Sequence, residues 1–542
     1  MGIIGIASGR PGLGLGAGAG LTWNIVTSRR SVTIRGQISK GMDRVSDNEH
    51  KQVAAIDLGS NSFHMVVAWQ VNHELRIQES LSEKVQLGAG LDSSNRITEE
   101  AQDRALECLR RFAQRIAGIP RGAVRVVGTN TLRVARNAAQ FLRRAEDILG
   151  HDIEIVAGRE EARLIYLGVS HHLPDSDQRR LVVDIGGGST ELIIGERFES
   201  VETESLHMGC VSYTARYFAN GDIVEKQFNK AVTAARQEVL SIEANYRRLG
   251  WQQAIGASGT VKAIAQVCED NGWSERGITL DGLQKIRKRL LKDGAVSALS
   301  LKGLREDRAG IFPAGVAILL GIFEQLDLQR MDVAAGALRE GLLYDLLGRF
   351  AHEDVRERSI EALMSRHHVE RAQAQRVSGT AMALYKQVAK AWQIDSEEYA
   401  DTLRWGGLLH EVGLAVSHSQ FHKHGAYLAM NSDLPGFSRQ EQLMVALMVR
   451  GHRRKVPLAA FEEVPVETRE ELLRLCLLLR VAARLHHARS DNPLPDIGAR
   501  AFEQKLTLSF PSGWLAEHPL TQADFEQEQE YFTNAGYELV VK

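Results

Sequence analysis

Two carboxylates bracket a glycine-rich turn in Asp184-Ile185-Gly186-Gly187-Gly188-Ser189-Thr190-Glu191. Apolar runs flank it, Leu181, Val182 and Val183 before and Leu192, Ile193 and Ile194 after. The pattern spells strand, tight turn, strand, because glycine adopts the positive φ that such turns demand. Asp184 and Glu191 then face each other across a hairpin, with Cβ atoms about 5 Å apart. Carboxylates that close repel unless a proton or a cation joins them. Between them, successive backbone N–H groups and the Ser189 and Thr190 hydroxyls can donate to phosphate oxygens. The chemistry implied is a hard divalent cation beside a phosphate cradle.

The stretch has a twin. Asp57-Leu58-Gly59-Ser60-Asn61-Ser62 follows the apolar run from Val53 and leads into Phe63, His64 and Met65. An offset of 127 positions lays Asp57 on Asp184, Gly59 on Gly186, Ser62 on Ser189 and His64 on Glu191. A repeated phosphate-gripping hairpin implies two similar lobes with a ligand between them. The second copy, with two carboxylates, is the better metal site. The bland alternative, two ordinary hairpins with glycine turns, is weakened by the match between them.

Other segments offer donors and a base. Gly128-Thr129-Asn130-Thr131-Leu132-Arg133 ends a strand and opens a helix, which presents N–H groups and hydroxyls to an anion. Arg133, one turn in, can take a phosphate bidentately, or it is simply a surface arginine on a capped helix. Glu160 and Glu161 begin another helix, where adjacent acids usually complement the macrodipole. Alternatively, one of the two faces the cleft and takes a proton from water. Ile255 to Thr260 forms a further strand–turn–helix junction suited to an anion, and Arg308 is within a segment that could reach a phosphate.

These residues need a scaffold. The 542-residue chain has room for three or four domains, and 44% apolar with 25% charged residues is ordinary globular composition. A net charge of −2 excludes overall basic steering, so a polyanion must meet locally basic surface. No DNA partner is expected. Four scattered cysteines with no C-x-x-C suit a reducing, cytoplasmic setting, with peripheral membrane attachment left open, and no apolar run reaches membrane-spanning length. Residues 1–41 lack Asp and Glu and hold eight glycines in the first twenty positions, which predicts a disordered leader. Met42 stands just ahead of the first strand as an alternative start. From residue 51 hairpins, helices (99–117) and strands (123–127, 153–156) alternate. Beyond about 350 helical patterns take over, and the last forty residues predict a small α/β unit. Basic residues at Lys285, Arg287, Lys288, Arg289 and Lys292, and at Arg453, Arg454 and Lys455, are candidates to hold a distal polyanion.

At the two Asp-x-Gly hairpins, Gly-Thr-Asn-Thr-Leu-Arg and Gly-x-Glu-Glu-Ala-Arg, the chain resembles the exopolyphosphatase / guanosine pentaphosphate phosphatase family of the actin-like ATPase superfamily. The resemblance runs from about Val53 to the C-terminus. It implies an α/β fold of two actin-like, ribonuclease H-like lobes (51–165 and 166–349) around a central cleft, after a leader (1–50). An all-α HD-like domain (350–500) and a small C-terminal α/β domain (501–542) would follow. Asp-Ile-Gly-Gly-Gly-Ser-Thr-Glu and the segment from His422 to Phe437 look more like exopolyphosphatase than the pentaphosphate enzyme.

The activity implied is Mg²⁺-assisted release of terminal phosphate from inorganic polyphosphate, with guanosine pentaphosphate as the alternative substrate and a homodimer as the assembly. The family's base falls on Glu161, with Glu160 the weaker candidate. Metal-associated acids fall on Asp184 and Glu191, with Asp57 from the first hairpin. Phosphate contacts fall on Asn61, Ser62, Arg133, Gly186, Gly187, Gly188, Ser189 and Arg308. The helical domain departs from the HD pattern. His410-Glu411 stands where His-Asp is usual, and Ala374 and Ala483 occupy two ligand positions. It is therefore expected to bind polymer or mediate dimerisation. Two rivals remain, a sugar-kinase-type phosphotransferase and a non-catalytic sensor of a phosphorylated nucleotide.

Overall fold

A computed structural model describes residues 51–71, 74–173, 177–350 and 354–542. The leader expected over residues 1–50 lies outside them. The first sheet is built from β1 (Lys51–Leu58), β2 (Ser62–Val71), β3 (Glu74–Lys84), β4 (Val124–Gly128) and β5 (Ile153–Ile155). Its order is β3-β2-β1-β4-β5, antiparallel through the hairpins and parallel from β1 to β4 to β5. Helices α1 (Glu99–Ile116), α2 (Asn130–Val134) and α3 (Ala138–Leu149) make the crossovers, as parallel strands require.

The second sheet repeats the plan. β6 (Arg180–Ile185), β7 (Thr190–Glu196), β8 (Glu199–Leu206), β9 (Gln253–Ala257), β10 (Ile278–Thr279) and β11 (Arg330–Val333) take the order β8-β7-β6-β9-β11-β10. Apart from the short added β10, this is the order and strand polarity of the first sheet. The duplicated lobes expected from the 127-residue offset are present in the strands.

Helix α4 (Gly158–Ser170) leads from the first sheet towards the second, and the division expected at 165/166 falls inside it. In the second lobe follow α5 (Cys210–Tyr217), α6 (Glu225–Leu249), α7 (Ser258–Asp270), α8 (Leu280–Asp293), α9 (Glu306–Ala309), α10 (Phe312–Leu326) and α11 (Leu338–Phe350). A shared core fills the space between the lobes. It takes Val53 and Ala55 from β1, Val182 from β6, Ile255 from β9, Leu164 and Tyr166 from α4, and Leu342 from α11. Helices α4 and α11 meet backbone to backbone, since a Cβ on Gly341 would lie 1.8 Å from the Leu164 carbonyl oxygen. Only glycine permits that approach, so α4 is fixed against both lobes.

Beyond residue 354 come α12 (Val355–Arg366), α13 (Arg371–Val388), α14 (Glu397–Leu409), α15 (Phe421–Asn431), α16 (Arg439–Gly451) and α17 (Val466–Leu485). A three-stranded sheet, β12 (Gly498–Phe502), β13 (Lys505–Ser509) and β14 (Glu538–Val541), follows with α18 (Trp514–Glu517) and α19 (Pro519–Asn534). Its Leu506, Leu508, Phe525 and Phe532 lie in one core with Val377 of α13 and Leu475 of α17. A fully buried Arg480–Glu528 pair joins α17 to α19. Among the described residues no helix is long and apolar enough to cross a membrane.

Candidate active site

In the second hairpin Asp184 pairs with Glu191 across β6 and β7, and in the first Asp57 pairs with His64 across β1 and β2. Each turn is secured from outside. The Gly186 N–H donates to the Ser189 carbonyl at 2.9 Å, and the start of α5 binds the carbonyls of Gly186 and Gly187 through the N–H groups of Cys210 and Val211. The amides left for a ligand in this turn are those of Gly187, Gly188 and Ser189. In the first lobe, the Ser60 and Asn61 carbonyls accept from Gly88 and Gln86.

The turns face each other. A Cβ on Gly187 would lie 2.8 Å from the Ser60 Cβ, and one on Gly188 would lie 2.3 Å from the Asn130 Oδ1. They enclose a cleft of about 300 Å³ lined by Asp57, Asn61, Ser62, Glu161, Asp184, Gly186, Gly187, Gly188, Ser189 and Arg308. Most of the residues singled out from the sequence therefore meet at one place.

The structure separates the two glutamates of α4. Glu161 lines the cleft, and its Oε2 accepts from the Arg133 Nη1 at 2.7 Å. The same Arg133 nitrogen donates to the Val156 carbonyl at 2.8 Å, which ties the guanidinium to the chain just ahead of α4. Arg133 is thus a support for Glu161 and is not among the residues lining the cleft. Glu160 is not brought to the cleft either. It turns the opposite way, to Arg163 and the Gly436 N–H, because consecutive residues on a helix point about 100° apart. There it borders a second cavity, of about 1190 Å³, between the lobes and the helical region.

Thr190 also departs from expectation. It is fully buried and its hydroxyl donates to the Met208 carbonyl, so it fastens the hairpin and offers nothing to a ligand. Glu191 in turn accepts from the Ser205 hydroxyl at 2.8 Å.

The electrostatics are those of a site awaiting positive charge. Burial pushes the Asp184 carboxyl up to about 7, Glu161 adds to the shift, and Lys262 opposes it. Glu191 is raised well above the usual range by burial and then by Glu161 and Asp184. Asp57 is raised likewise by burial, Glu161 and Asp184, against Arg339. Its buried Oδ1 has no hydrogen-bond partner. Among the described residues no three His, Cys, Asp or Glu side chains form a closed metal cage. That is compatible with Mg²⁺, which is usually held by one or two carboxylates, waters and substrate phosphates.

Lys262 and Arg339 also line the cleft and were not picked out from the sequence. Lys262 lies one turn into α7, after the Ser258-Gly259-Thr260 junction, the placement that had drawn attention to Arg133. Arg339 had no such signal, because it opens a helix whose residues read only as packing. The basic run on α8 stays outside the cleft, with Lys285 paired to Asp281 and Arg289 to Asp293. Arg453 lies 4.4 Å over the Phe421 ring in the helical region. His410 and His452 are buried there, each bonded through Nδ1 to a carbonyl three residues earlier on its own chain.

Comparison with known proteins agrees with this geometry. Residues 66–350 match the Ppx/GppA phosphatase family, and residues 355–529 match domain III of the same phosphatases. Two curated relatives, from Aeromonas hydrophila and Aeromonas salmonicida, are 40% identical over 484 residues, 89% of this chain and 97% of theirs. Both are named guanosine-5'-triphosphate,3'-diphosphate pyrophosphatase. A solved exopolyphosphatase from Cytophaga hutchinsonii is 26% identical with a TM-score of 0.51, over 55% of this chain and 98% of that one. A solved exopolyphosphatase-like protein is 25% identical with a TM-score of 0.50, over 56% of this chain and 100% of that one. The chain belongs to the Ppx/GppA phosphatase family of phosphoric anhydride hydrolases.

Proposed function

We propose that this phosphatase removes the terminal 5'-phosphate of guanosine pentaphosphate. The observation that carries this reading is the 40% identity, over nearly the whole of both chains, to relatives bearing that activity in their names. It reverses the order of the sequence resemblance, which placed inorganic polyphosphate first on the strength of two short motifs. Those motifs belong to the hairpin and to the helical region.

Glu161 is the general base. Its carboxylate borders the cleft and Arg133 restrains it, so a water beside it is oriented towards the terminal phosphorus and gives up its proton there. The Gly187 and Gly188 amides, with Arg308 and Lys262, are fixed donors for the phosphoryl oxygens, whose charge grows in the transition state. Asp184 and Asp57, which line the cleft, would hold Mg²⁺ together with Glu191, which pairs with Asp184 across the hairpin but is not itself in the lining; when bound the ion offsets charge on the phosphate oxygens.

Phosphate release from guanosine pentaphosphate and from long-chain polyphosphate, measured side by side with Mg²⁺, tests the substrate. Preference for the polymer overturns the reading, and no release from either favours a sensor. Glu161→Gln should lower kcat by roughly 10²- to 10⁴-fold with KM little changed. Retained turnover would remove Glu161 from its role.

A further inference from the structure

The first turn of α4 touches three bodies at once. Glu161 enters the cleft. Arg159, two residues earlier, pairs with Glu204 on β8 and, at 2.8 Å, with Asp433 of the helical region. Between them Glu160, 4% exposed, accepts the Gly436 N–H at 3.0 Å and two bonds from Arg163 at 2.8 Å. Arg163 continues to Asp345 on α11, and Asp345 to Arg125 on β4. A buried chain of alternating charge therefore runs from the helical region, through the helix that bears the base, into both lobes.

The helical end of this chain is firm. Leu434 and Phe437 are buried in one core with Ile360 and Trp405. The Ser359 hydroxyl donates to the Pro435 carbonyl at 2.7 Å. Gly436 has φ +88°, and a Cβ there would lie 2.3 Å from the Val355 Cγ1, so no side chain fits at this donor. Such a contact is more than a surface tie. The residue it grips is the immediate neighbour of the base, on the same rigid turn.

We propose that Glu160 is a positioning residue, and that through Gly436 the helical region sets where Glu161 stands in the cleft. The inference rests on Glu161 being the base. It gives the helical region a part in turnover although none of its residues lines the cleft. Displacing a reacting group by about 1 Å can cost about 10²-fold in rate, so the loss should fall on kcat.

The test uses the full chain with guanosine pentaphosphate or, should that prove the poorer substrate, polyphosphate. Glu160→Gln and Gly436→Ala are each expected to lower kcat by about 10- to 100-fold, leaving KM within about twofold. The double variant should lose little more than either single one, since both act through one bond. A merely structural role would lower the melting temperature and leave kcat per folded molecule unchanged, and that result overturns the proposal. Should Gly436→Ala, whose Cβ would meet Val355, fail to fold, Glu160→Gln, which keeps the size of the side chain, decides the matter by the same kcat and KM readout. Glu161→Gln is run alongside. If it collapses while the other two retain full kcat, the coupling alone is wrong. If it keeps full turnover, the base assignment falls and the role of Glu160 falls with it.

Discussion

The hairpin of the first lobe and that of the second share strand register and place in the sheet, yet they end in different chemistry. In the second, Asp184 opposes Glu191, and Ser205 steadies the glutamate. In the first, Asp57 opposes His64, and neither the Asp57 Oδ1 nor the His64 Nδ1 has a partner. Burial, with Arg339 and Arg308 nearby, lowers the His64 pKa to about 4, so the ring is neutral at pH 7 and cannot balance Asp57. Duplication supplied the geometry twice. One position in each hairpin, 64 or 191, then set whether the pair holds one acid or two. On the proposed reading the second hairpin is thereby the stronger cation holder, and the first chiefly a wall of amides and hydroxyls.

Changes at the second hairpin should have the largest effect. Asp184→Asn or Glu191→Gln removes a proposed Mg²⁺ ligand, whose contribution of several kcal/mol corresponds to roughly 10²- to 10⁴-fold in turnover. Phosphate release titrated against MgCl₂ checks this, and full turnover at ordinary Mg²⁺ would break the asymmetry. Asp57→Asn should cost activity less, about tenfold, because its hairpin lacks the second acid. The metal-free protein should become more stable by about 1–2 kcal/mol, since a buried carboxylate without a full set of partners is replaced by a neutral amide. Melting in EDTA beside turnover in Mg²⁺ separates the two effects. Equal activity losses at residues 57 and 184 would show that the lobes share the cation evenly.

The hairpins were legible in the sequence because their periodicity is local, and the 127-residue offset is arithmetic on the chain. The reason expected for their glycines was not the right one, since none of Gly59, Gly186, Gly187 and Gly188 has a positive φ and Gly187 and Gly188 instead permit the close approach of the two lobes. The facing of the two turns followed from the same repeat. Choosing between Glu160 and Glu161 was beyond any local signal, since both sit in the first turn of one helix and only the packing of α4 decides which meets the cleft. Arg133 was rightly marked as able to bind an anion, but its nearest anion is the Glu161 carboxylate. Thr190 was credited with a free hydroxyl that a strand-to-loop contact with Met208 takes up. Arg339 comes from an element remote in sequence, so nothing near it announced the site. β12 gave no signal because Gly498–Phe502 holds four small or charged residues and pairs only once β13 is present.

The smallest effect separates the lobes from the helical region and concerns pH. His410, His422 and His452 are buried there, and all are held below the usual histidine range. Burial is the main cause for each. Arg450, Arg453, Lys423 and Arg454 add to it at His422, which is lowered to about 4. His410 and His422 repel a charge on His452, as does Arg480. At His410, Glu411 works against burial and Arg489 with it. Above pH 6.5 the rings are neutral in both folded and unfolded chains, and their burial carries no proton-linked penalty. As pH falls below that value the unfolded chain takes up protons that the folded rings refuse, down to about pH 4 at His422. Stability should therefore drop by up to about 1.4 kcal/mol per pH unit for each ring through that window. Fluorescence melting of the buried Trp392 and Trp405 between pH 7 and 4.5 follows it, and His422→Gln should remove up to about 1.4 kcal/mol per pH unit from the slope. The raised carboxyls of Asp57, Asp184 and Glu191 take up protons in the folded chain over the same window and act in the opposite direction. An identical pH slope in the wild-type chain and His422→Gln would mean that this ring is hydrated enough to titrate normally.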